Sequence, residues 1–396
     1  MSAPFELRLD RLIGQDHALA RLRAALEAPS PGDERPHNLH HAILFEGPSG
    51  VGKRTAALAL AARLLCRTPD GASACGGCAS CTKLVETEVG GRPGRGRNDP
   101  ETRREVPGHP DLYFTKKSDS GNILLGKREN AATWVGSVRW LEERLHLRAH
   151  QGGAKVAVVE DADALQLPAA NGFLKTLEEP PPNTFLLLTT DHPDRLLPTV
   201  LSRCLRIRFR SLDAPEVKAV LAQADPGLSE SDRELLAAAS DGAPGRALER
   251  DRAALAAELD RVRDLDRRLD RDRPRAPLEA VDLARELVAD KEALPRLLET
   301  WARWSRDQLL IGLVRAGDRR DRLSYPGHEA DLAELAARRP LERLLERTDA
   351  LLEARRQLAL PTNLNRQMLV EQALLTLAGV LPLRRVPPLL ANLANR

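Results

Sequence analysis

Residues 47–60 read GPSGVGKRTAALAL and closely follow the short apolar run His41–Phe45. In the pattern G-x-x-x-x-G-K-[ST], glycines let successive backbone N–H groups converge on a phosphate, and the following helix N-terminus favours its negative charge. Gly47, Gly52 and Lys53 occupy the fixed positions of this pattern. An apolar strand, a glycine-rich loop and a helix in this order predict an α/β domain that binds a nucleotide through its phosphates.

One position of the loop departs from the pattern. Gly50 and the other glycines are present, but Lys53 is followed by Arg54, where Ser or Thr would hold Mg²⁺ through its hydroxyl. Thr55 comes one residue later, roughly 100° further round the helix. A cation therefore stands near the usual place of the metal. We expect ATP or ADP binding to survive this change better than hydrolysis, and the role of Mg²⁺ stays open.

The acidic site that usually accompanies such a loop is also altered. The apolar strand Lys155–Val159 is followed by Glu160 and Asp161. P-loop ATPases hold Mg²⁺ through an Asp at the end of such a strand, and in the common order a Glu follows it and polarises the attacking water. Because the order here is reversed, the second carboxylate is one methylene shorter and is expected to lie too far from the water. The sequence predicts weak or absent ATPase activity at this site.

Composition indicates a globular protein of several domains. The chain has 396 residues, of which 42% are hydrophobic and 30% charged. Its formal net charge of +3 does not indicate a strongly basic nucleic-acid binder. The N-terminal residues lack the apolar segment of a secretory signal, and no uncharged apolar run approaches the roughly 20 residues that span a bilayer. We expect a cytoplasmic protein that does not contact membranes.

Five short apolar runs alternate with helical stretches in the first half, which predicts a parallel sheet between helices. The runs are 41–45, 111–114, 155–159, 184–190 and 205–209. Strand signals then stop, so the predicted domains are an α/β domain at 1–210 and helical domains at 211–280 and 281–396. The charged run 251–273 is interpreted as a solvated helix face.

Four of the five cysteines cluster after the helix of the glycine-rich loop. They follow the spacing C-x8-C-x2-C-x2-C and are Cys66, Cys75, Cys78 and Cys81. Four thiolates at such spacing can surround Zn²⁺ tetrahedrally, and clustered cysteines in a reducing compartment indicate a metal rather than disulfides. The predicted ion is structural, because its coordination would be complete. Cys204 is isolated and is expected to be structural too.

The most specific stretch is 170–204, ANGFLKTLEEPPPNTFLLLTTDHPDRLLPTVLSRC. Its LKTLEEPP segment, its SRC triplet, the four-cysteine insert and Gly14-Gln15 together resemble bacterial DNA polymerase III clamp-loader subunits of the AAA+ class. The resemblance covers nearly the whole chain and is strongest through 41–210, while NLN at 363–365 resembles the family's collar domain. It implies that the helical domains are a lid and an oligomerising collar.

Within that family the chain resembles the stator, or delta-prime, type more than the ATP-hydrolysing gamma/tau motor type. The motor type keeps a Ser or Thr after the loop lysine, where this chain has Arg54. The resemblance implies a hetero-oligomeric ring with gamma/tau and delta subunits that loads a sliding clamp onto primed DNA, mainly through phosphate contacts. A motor subunit, a switch that binds ATP without hydrolysis and a zinc-dependent DNA-binding module remain alternatives. The basic segment 90–107 is interpreted as a mobile loop, with DNA contact as the alternative.

The resemblance also implies roles for single residues. Clamp loaders place ATP at the junction of two subunits, so Arg203 of the SRC triplet would act as an arginine finger on ATP bound to a neighbour. Thr190 takes the position of a sensor near the γ-phosphate. Arg246 in GAPGRAL resembles a second sensor, and pairing on its own helix is the alternative.

Overall fold

A computed structural model describes residues 8–27, 38–85, 87–88, 106–115, 117–118, 121–126, 136–151, 153–250, 252–269, 275–291, 293–313, 323–358 and 365–381. Most of the basic segment 90–107 and the first two residues of NLN therefore lie outside the described residues. The chain divides into two compact units. The first comprises Met1–Gly227 with Gly242–Arg246, and the second comprises Leu228–Asp241 with Ala247–Arg396.

The first unit is built on a five-stranded parallel sheet. Its strands are β1 (Ala42–Glu46), β4 (Leu112–Phe114), β5 (Lys155–Val159), β6 (Thr184–Thr190) and β7 (Leu205–Arg208), and the short strands β2 (Thr87–Glu88) and β3 (Val106–Pro107) pair separately and antiparallel. The order across the main sheet is β4-β5-β6-β1-β7. All residues of β1, β5 and β6 are buried, as expected for parallel strands covered on both faces. The five predicted strands are confirmed.

Helices cover both faces of this sheet. The helices of this unit are α1 (Asp16–Glu27), α2 (Lys53–Leu65), α3 (Ala79–Val85), α4 (Val138–His146), α5 (Leu167–Glu178), α6 (Pro198–Leu201) and α7 (Ala214–Ala224), and the first six contribute to the cores on the two faces. Along β1, Ile43 and Phe45 enter the core formed with α1 and α2, whereas Ala42 and Leu44 enter the core formed with α4 and α5. Because side chains alternate along a strand, one run of apolar residues builds two cores and a three-layer domain. The predicted fold class is confirmed.

The described residues of the second unit form helices and no strand. They are α8 (Glu230–Ala238), the end of α9 (Pro244–Glu249), α10 (Arg252–Arg268), α11 (Ala276–Ala289), α12 (Ala293–Leu313), α13 (Glu329–Ala337), α14 (Leu341–Leu358) and α15 (Arg366–Leu377). Apolar residues at helical spacing on α10, such as Leu255, Leu259 and Val262, are buried. None of the described helices combines the length and the apolar character that crossing a bilayer requires.

A fully buried carboxylate lies at the centre of the helical unit. Asp266 on α10 accepts hydrogen bonds from Arg339 (2.9 Å), Gln308 (3.0 Å) and the indole nitrogen of Trp301 (3.3 Å), and it also pairs with Arg347. Burial alone would raise the pKa of Asp266, but the two guanidiniums outweigh it and hold the pKa below its usual range. The prediction of a solvated face for 251–273 is therefore wrong at Asp266.

Candidate functional site

The glycine-rich loop runs from the end of β1 to the start of α2. Gly47, Gly50 and Gly52 have φ angles of 147°, 78° and 98°, a region that side chains rarely enter. A Cβ at Gly47 would lie 2.2 Å from the carbonyl oxygen of Phe209. These positions therefore require glycine, which is the backbone requirement that the loop pattern predicts.

Lys53, the first residue of α2, is buried within this loop. Its ammonium group donates to the carbonyl oxygens of Gly47 (2.8 Å) and Pro48 (2.5 Å). It also pairs with a carboxylate oxygen of Asp191 at 2.7 Å. Sequence reasoning missed Asp191, although its position directly after the buried strand β6 was a usable signal.

Each carboxylate of the acidic pair faces a cation of the same chain. Arg54 donates from Nε to Glu160, and Glu160 is mostly buried. Asp161 pairs with Lys117 at 2.6 Å, and its own N–H donates to the hydroxyl of Thr189 at 3.2 Å. Thr55 lies half-buried one residue beyond Arg54 on α2. The structure thus brings an arginine side chain from the loop helix to the acidic end of β5.

Thr190 lies beside the loop at the end of β6. It is fully buried, and the amide of Gly47 donates to its carbonyl oxygen at 3.3 Å. Its hydroxyl donates to Asp163 at 2.7 Å and accepts from the amide of His192 at 3.0 Å. The predicted sensor residue therefore lies next to the glycine-rich loop, with its hydroxyl held by two hydrogen bonds.

Arg246 contacts the loop from a different part of the sequence. The amide of Gly245 donates to the carbonyl oxygen of Gly50 at 2.8 Å. A Cβ at Gly50 would lie 3.0 Å from Cγ of Arg246. The residues predicted to bind nucleotide, from Gly47 to Arg246, therefore form one cluster at the carboxyl end of the sheet.

A buried glutamate next to the loop escaped sequence reasoning. Glu46, the last residue of β1, is only 3% exposed and pairs with Arg206 (2.7 Å) and Arg208 (2.8 Å) on β7. The side-chain amide of Gln15, in the Gly14-Gln15 motif, makes two hydrogen bonds to the backbone of Arg210, which follows β7. It donates to the carbonyl of Arg210 (2.8 Å) and accepts from its N–H (3.1 Å). These contacts fix the edge strand β7 beside β1.

Arg203 lies on the turn between α6 and β7. Its guanidinium donates to Glu178 at the end of α5 through Nε (2.6 Å) and through Nη2. Its Nη1 donates to the carbonyl of Thr199 (2.7 Å) and lies 3.3 Å from the hydroxyl of Ser202. The side chain remains 31% exposed. The SRC triplet and the LKTLEEPP segment, which are separate in sequence, therefore meet in one surface ion pair.

The four clustered cysteines meet between α2 and α3. Their sulfur atoms all lie within 4.8 Å of one another, so the cluster could hold a metal ion. The Sγ–Sγ distances are 3.9 Å for Cys66–Cys78, 3.9 Å for Cys75–Cys81 and 3.5 Å for Cys78–Cys81. The backbone amide of Cys75 donates to the sulfur of Cys66 (3.3 Å), and that of Cys78 donates to the sulfur of Cys75 (3.4 Å). Such hydrogen bonds favour the thiolate form of the accepting sulfurs.

The thiols of the chain differ in acidity. A hydrogen bond from the hydroxyl of Thr68 is the main cause that lowers the pKa of Cys75 to about 6. Burial raises the pKa of Cys81, because the thiolate is poorly solvated there. Burial also raises the pKa of the isolated Cys204 to about 12, so that thiol stays protonated and unreactive at neutral pH.

Two family models match the chain. One is described as "DNA polymerase III, delta subunit" and matches residues 33–90 and 103–213, and the other, "DNA polymerase III, delta subunit, C terminal", matches 289–379. DNA polymerase III subunit delta' of Escherichia coli is 36% identical over 53% of this chain and 54% of its own length. The delta' subunit of Pseudomonas aeruginosa is 29% identical over 86% of this chain and 92% of its own length. The chain thus spans about half of the first relative and nearly all of the second.

Proteins of the gamma type also match the chain. DNA polymerase III subunit gamma/tau of Mycobacterium tuberculosis is 29% identical over 54% of this chain and 30% of its own length. The crystal structure of a DNA polymerase III gamma subunit-related protein from Thermotoga maritima is 16% identical, with a TM-score of 0.40, over 92% of this chain and 99% of that one.

Proposed function

The chain belongs to the DNA polymerase III delta-subunit family that these models describe, and from that membership we propose that it is the delta-prime-type, non-motor subunit of a clamp loader. In this role it joins gamma/tau and delta subunits in a hetero-oligomeric ring that loads a sliding clamp onto primed DNA. It completes the ATP site of a neighbouring subunit with Arg203 rather than hydrolysing ATP itself.

The ion pair between Arg54 and Glu160 carries the non-motor part of this proposal. A motor site needs a hydroxyl oxygen and carboxylate oxygens for Mg²⁺. Arginine offers only N–H donors and no acceptor, so it cannot replace the hydroxyl as a metal ligand. The carboxylate that would hold the ion is already occupied by this guanidinium.

The surroundings of Arg203 suit a finger that acts on a neighbour. The pair with Glu178 is partly exposed, and exposed pairs are worth only about 0.2–1 kcal/mol. An arginine finger contributes about 10³–10⁵ in rate, which corresponds to roughly 4–7 kcal/mol of transition-state stabilisation. The transferred phosphoryl group therefore competes easily with Glu178 for the guanidinium. We infer that Glu178 orients Arg203 without locking it in place.

The test is DNA- and clamp-stimulated ATP turnover of the reconstituted loader, with Arg203→Ala compared with Lys53→Ala in this chain. The proposal expects Arg203→Ala to lower turnover by about 10³-fold or more at the one site that it completes. Lys53→Ala should leave turnover nearly unchanged. Arg195→Ala, also on a turn of the first unit, is the control for loss of a surface charge. Equal losses for Arg203→Ala and Lys53→Ala would instead identify this chain as a motor subunit.

The motor function is the second candidate, because the gamma/tau relatives match 54% of the chain and the loop keeps its glycines and Lys53. Single-turnover hydrolysis separates the two functions in a reconstituted loader whose other subunits carry alanine in place of the loop lysine, because a neighbour's finger is then still present. In that loader a motor subunit would convert its bound ATP to ADP, whereas the non-motor subunit would return it unchanged.

We also propose that the loop binds ATP or ADP without hydrolysing it. Lys53 and the N-terminus of α2 would face the phosphates, and Arg246 would cover them from beside Gly50. Thr190 would lie near the terminal phosphate. Titration of the purified chain with labelled ATP tests this part, and an absence of binding at millimolar nucleotide would refute it.

The metal of the four-cysteine cluster is proposed to be zinc in a structural role. A tetrahedral ion with Zn–S bonds of about 2.3 Å separates its sulfurs by roughly 3.8 Å. Three of the six sulfur–sulfur separations, at 3.5–3.9 Å, agree with that value, and all six lie within 4.8 Å. Metal analysis of protein purified without chelator should find one zinc per chain. A content far below one would refute the assignment.

The helical segments 211–280 and 281–396 are proposed to be the lid and the collar through which the ring assembles. Large apolar side chains are exposed on the second unit, among them Leu278 (71%) and Met368 (66%). Such residues suit contacts with other subunits, although single exposed apolar residues are common. DNA contact would be mainly to phosphates and would weaken as salt rises. Charge substitutions at Leu278 and Met368 should reduce ring assembly, as measured by analytical ultracentrifugation.

A further inference from the structure

We propose that the phosphate-binding loop takes a nucleoside triphosphate or diphosphate without Mg²⁺, because side-chain cations of this chain stand where the metal would bind. This inference rests on the proposed binding of nucleotide by the loop. It goes beyond that proposal by naming the ionic form of the ligand as the metal-free polyphosphate.

The carboxylates around the loop all have partners within the chain. Glu160 pairs with Arg54, Asp161 with Lys117 and Asp191 with Lys53. Asp163 accepts a hydrogen bond from the hydroxyl of Thr190. A metal would have to displace a fixed cation or a buried hydroxyl to gain any of these ligands.

The chemistry of the donor set also disfavours Mg²⁺. This ion requires near-octahedral coordination by oxygen at about 2.0–2.1 Å. The position that normally supplies a hydroxyl oxygen holds Arg54, which has N–H donors only. Its positive charge would also repel a divalent cation placed against Glu160. The residues present therefore do not fit the metal that usually accompanies nucleotide in such loops.

The same arrangement suits an anion with a high charge. A guanidinium has five N–H donors, which is enough to serve a carboxylate and a phosphate oxygen at the same time. Lys53 and Arg54 are adjacent at the start of α2, where the helix N-terminus adds its own positive potential. Arg246 approaches the loop at Gly50. Glu160 and Asp191 would have to share Arg54 and Lys53 with the phosphates. Metal-free ATP carries two more negative charges than its magnesium complex, so it competes better for these cations.

The experiment measures the dissociation constant of labelled ATP for the full-length chain, with Mg²⁺ in excess over nucleotide and without it. Magnesium is omitted rather than chelated, since a chelator would also remove metal from the four-cysteine cluster. Arg54→Thr restores the hydroxyl of the loop pattern. Glu160→Gln removes the carboxylate but keeps Arg54. Arg139→Thr, at an exposed position on α4, is the matched control.

For the unchanged chain, Mg²⁺ should alter the dissociation constant by less than about threefold or weaken binding. In Arg54→Thr, Mg²⁺ should tighten binding by about tenfold or more. Glu160→Gln should bind metal-free ATP more tightly than the unchanged chain and should stay indifferent to Mg²⁺. Arg139→Thr should match the unchanged chain.

Tightening of about tenfold or more by Mg²⁺ in the unchanged chain would overturn the inference. So would an absence of binding under both conditions, which would also refute nucleotide binding by this loop. Neither result touches the arginine-finger proposal, because that proposal is read from turnover at a neighbouring subunit in the Arg203→Ala loader.

Discussion

The substitution Asp266→Asn is expected to destabilise the helical unit by about 3–5 kcal/mol, the usual cost of breaking a buried ion pair. Asp266 is fully buried, and both Arg339 and Arg347 pair with it from buried positions. Asn keeps the shape and some of the hydrogen bonds, so little packing is lost. The cost arises because two guanidiniums are left in the interior without a compensating charge.

The free energy lost on removing one charge differs from the net contribution of the whole cluster of Asp266, Arg339 and Arg347 to stability. Burial already lowers the pKa of Arg347 to about 10, which shows how poorly its charge is solvated. Replacing all three members by apolar residues of similar volume removes the desolvation penalty together with the attraction. Such replacements are often neutral or stabilising. We therefore expect Asp266→Leu/Arg339→Met/Arg347→Met to be more stable than Asp266→Asn alone.

Urea unfolding followed by tryptophan fluorescence is the assay, since Trp301 donates directly to Asp266. The control is Glu353→Gln, whose partner Arg356 is exposed, and its cost should stay below about 0.5 kcal/mol. An Asp266→Asn midpoint equal to that of the control would refute the reasoning. So would a triple variant that is less stable than Asp266→Asn.

The same carboxylate predicts a pH dependence. Its pKa in the folded protein is held below the unfolded value of about 3.9. Its contribution to stability is therefore complete above the unfolded pKa and is lost as pH falls through the folded pKa. The difference in unfolding free energy between the unchanged chain and Asp266→Asn should be constant near neutral pH and shrink in strong acid.

Three further outcomes are expected. Burial raises the pKa of Asp307 to about 6, while one of its carboxylate oxygens accepts from the amide of Tyr325. The free energy of unfolding should therefore fall as pH rises from about 4 through 6, because the protonated form that the folded chain favours is lost. Asp307→Asn should remove this pH dependence in urea unfolding and stabilise the chain at pH 7 by about 1–3 kcal/mol. Cys78→Ser should reduce the metal content measured by mass spectrometry and lower the thermal midpoint, whereas Cys204→Ser should leave the metal content unchanged. Glu178→Gln should lower loader turnover by less than about tenfold, far less than Arg203→Ala, because Glu178 is proposed to orient Arg203 without contacting phosphate. An equal loss would mean that Glu178 itself acts in the chemistry.

The sheet was predictable because each of its strands is a short apolar run, and a parallel sheet covered on both faces demands such runs. The loop was predictable because its glycines are required by φ angles that other residues rarely adopt. In both cases the local sequence carries the physical requirement. The four cysteines were predictable for the same reason, since their close spacing alone brings the sulfurs together.

Partnerships between charges could not be predicted in this way. Asp266 lies in a run of alternating charges that looks solvated, and only the positions of Arg339 and Arg347 on later segments make it a buried centre. The sequence alone indicates that Glu46 is a polar residue at the end of a strand. Its role as a buried ion-pair partner depends on Arg206 and Arg208 of the neighbouring strand β7. Long-range pairing of this kind depends on tertiary structure, so periodicity in one segment cannot reveal it.

The altered loop and the proposed arginine finger are consistent with one function. If the loop had merely decayed, its glycines, Lys53 and the cover by Gly245 and Arg246 would have no reason to remain together. On the proposed function the retained features would bind and order a phosphate, and the altered ones, Arg54 and the Glu160-Asp161 order, stand at the positions that hydrolysis needs. A subunit that lends Arg203 to a neighbour needs a rigid domain around β7 throughout the cycle. A loop that held nucleotide without turnover, as proposed, would keep this domain in one state, whereas a hydrolysing site would change state at each cycle.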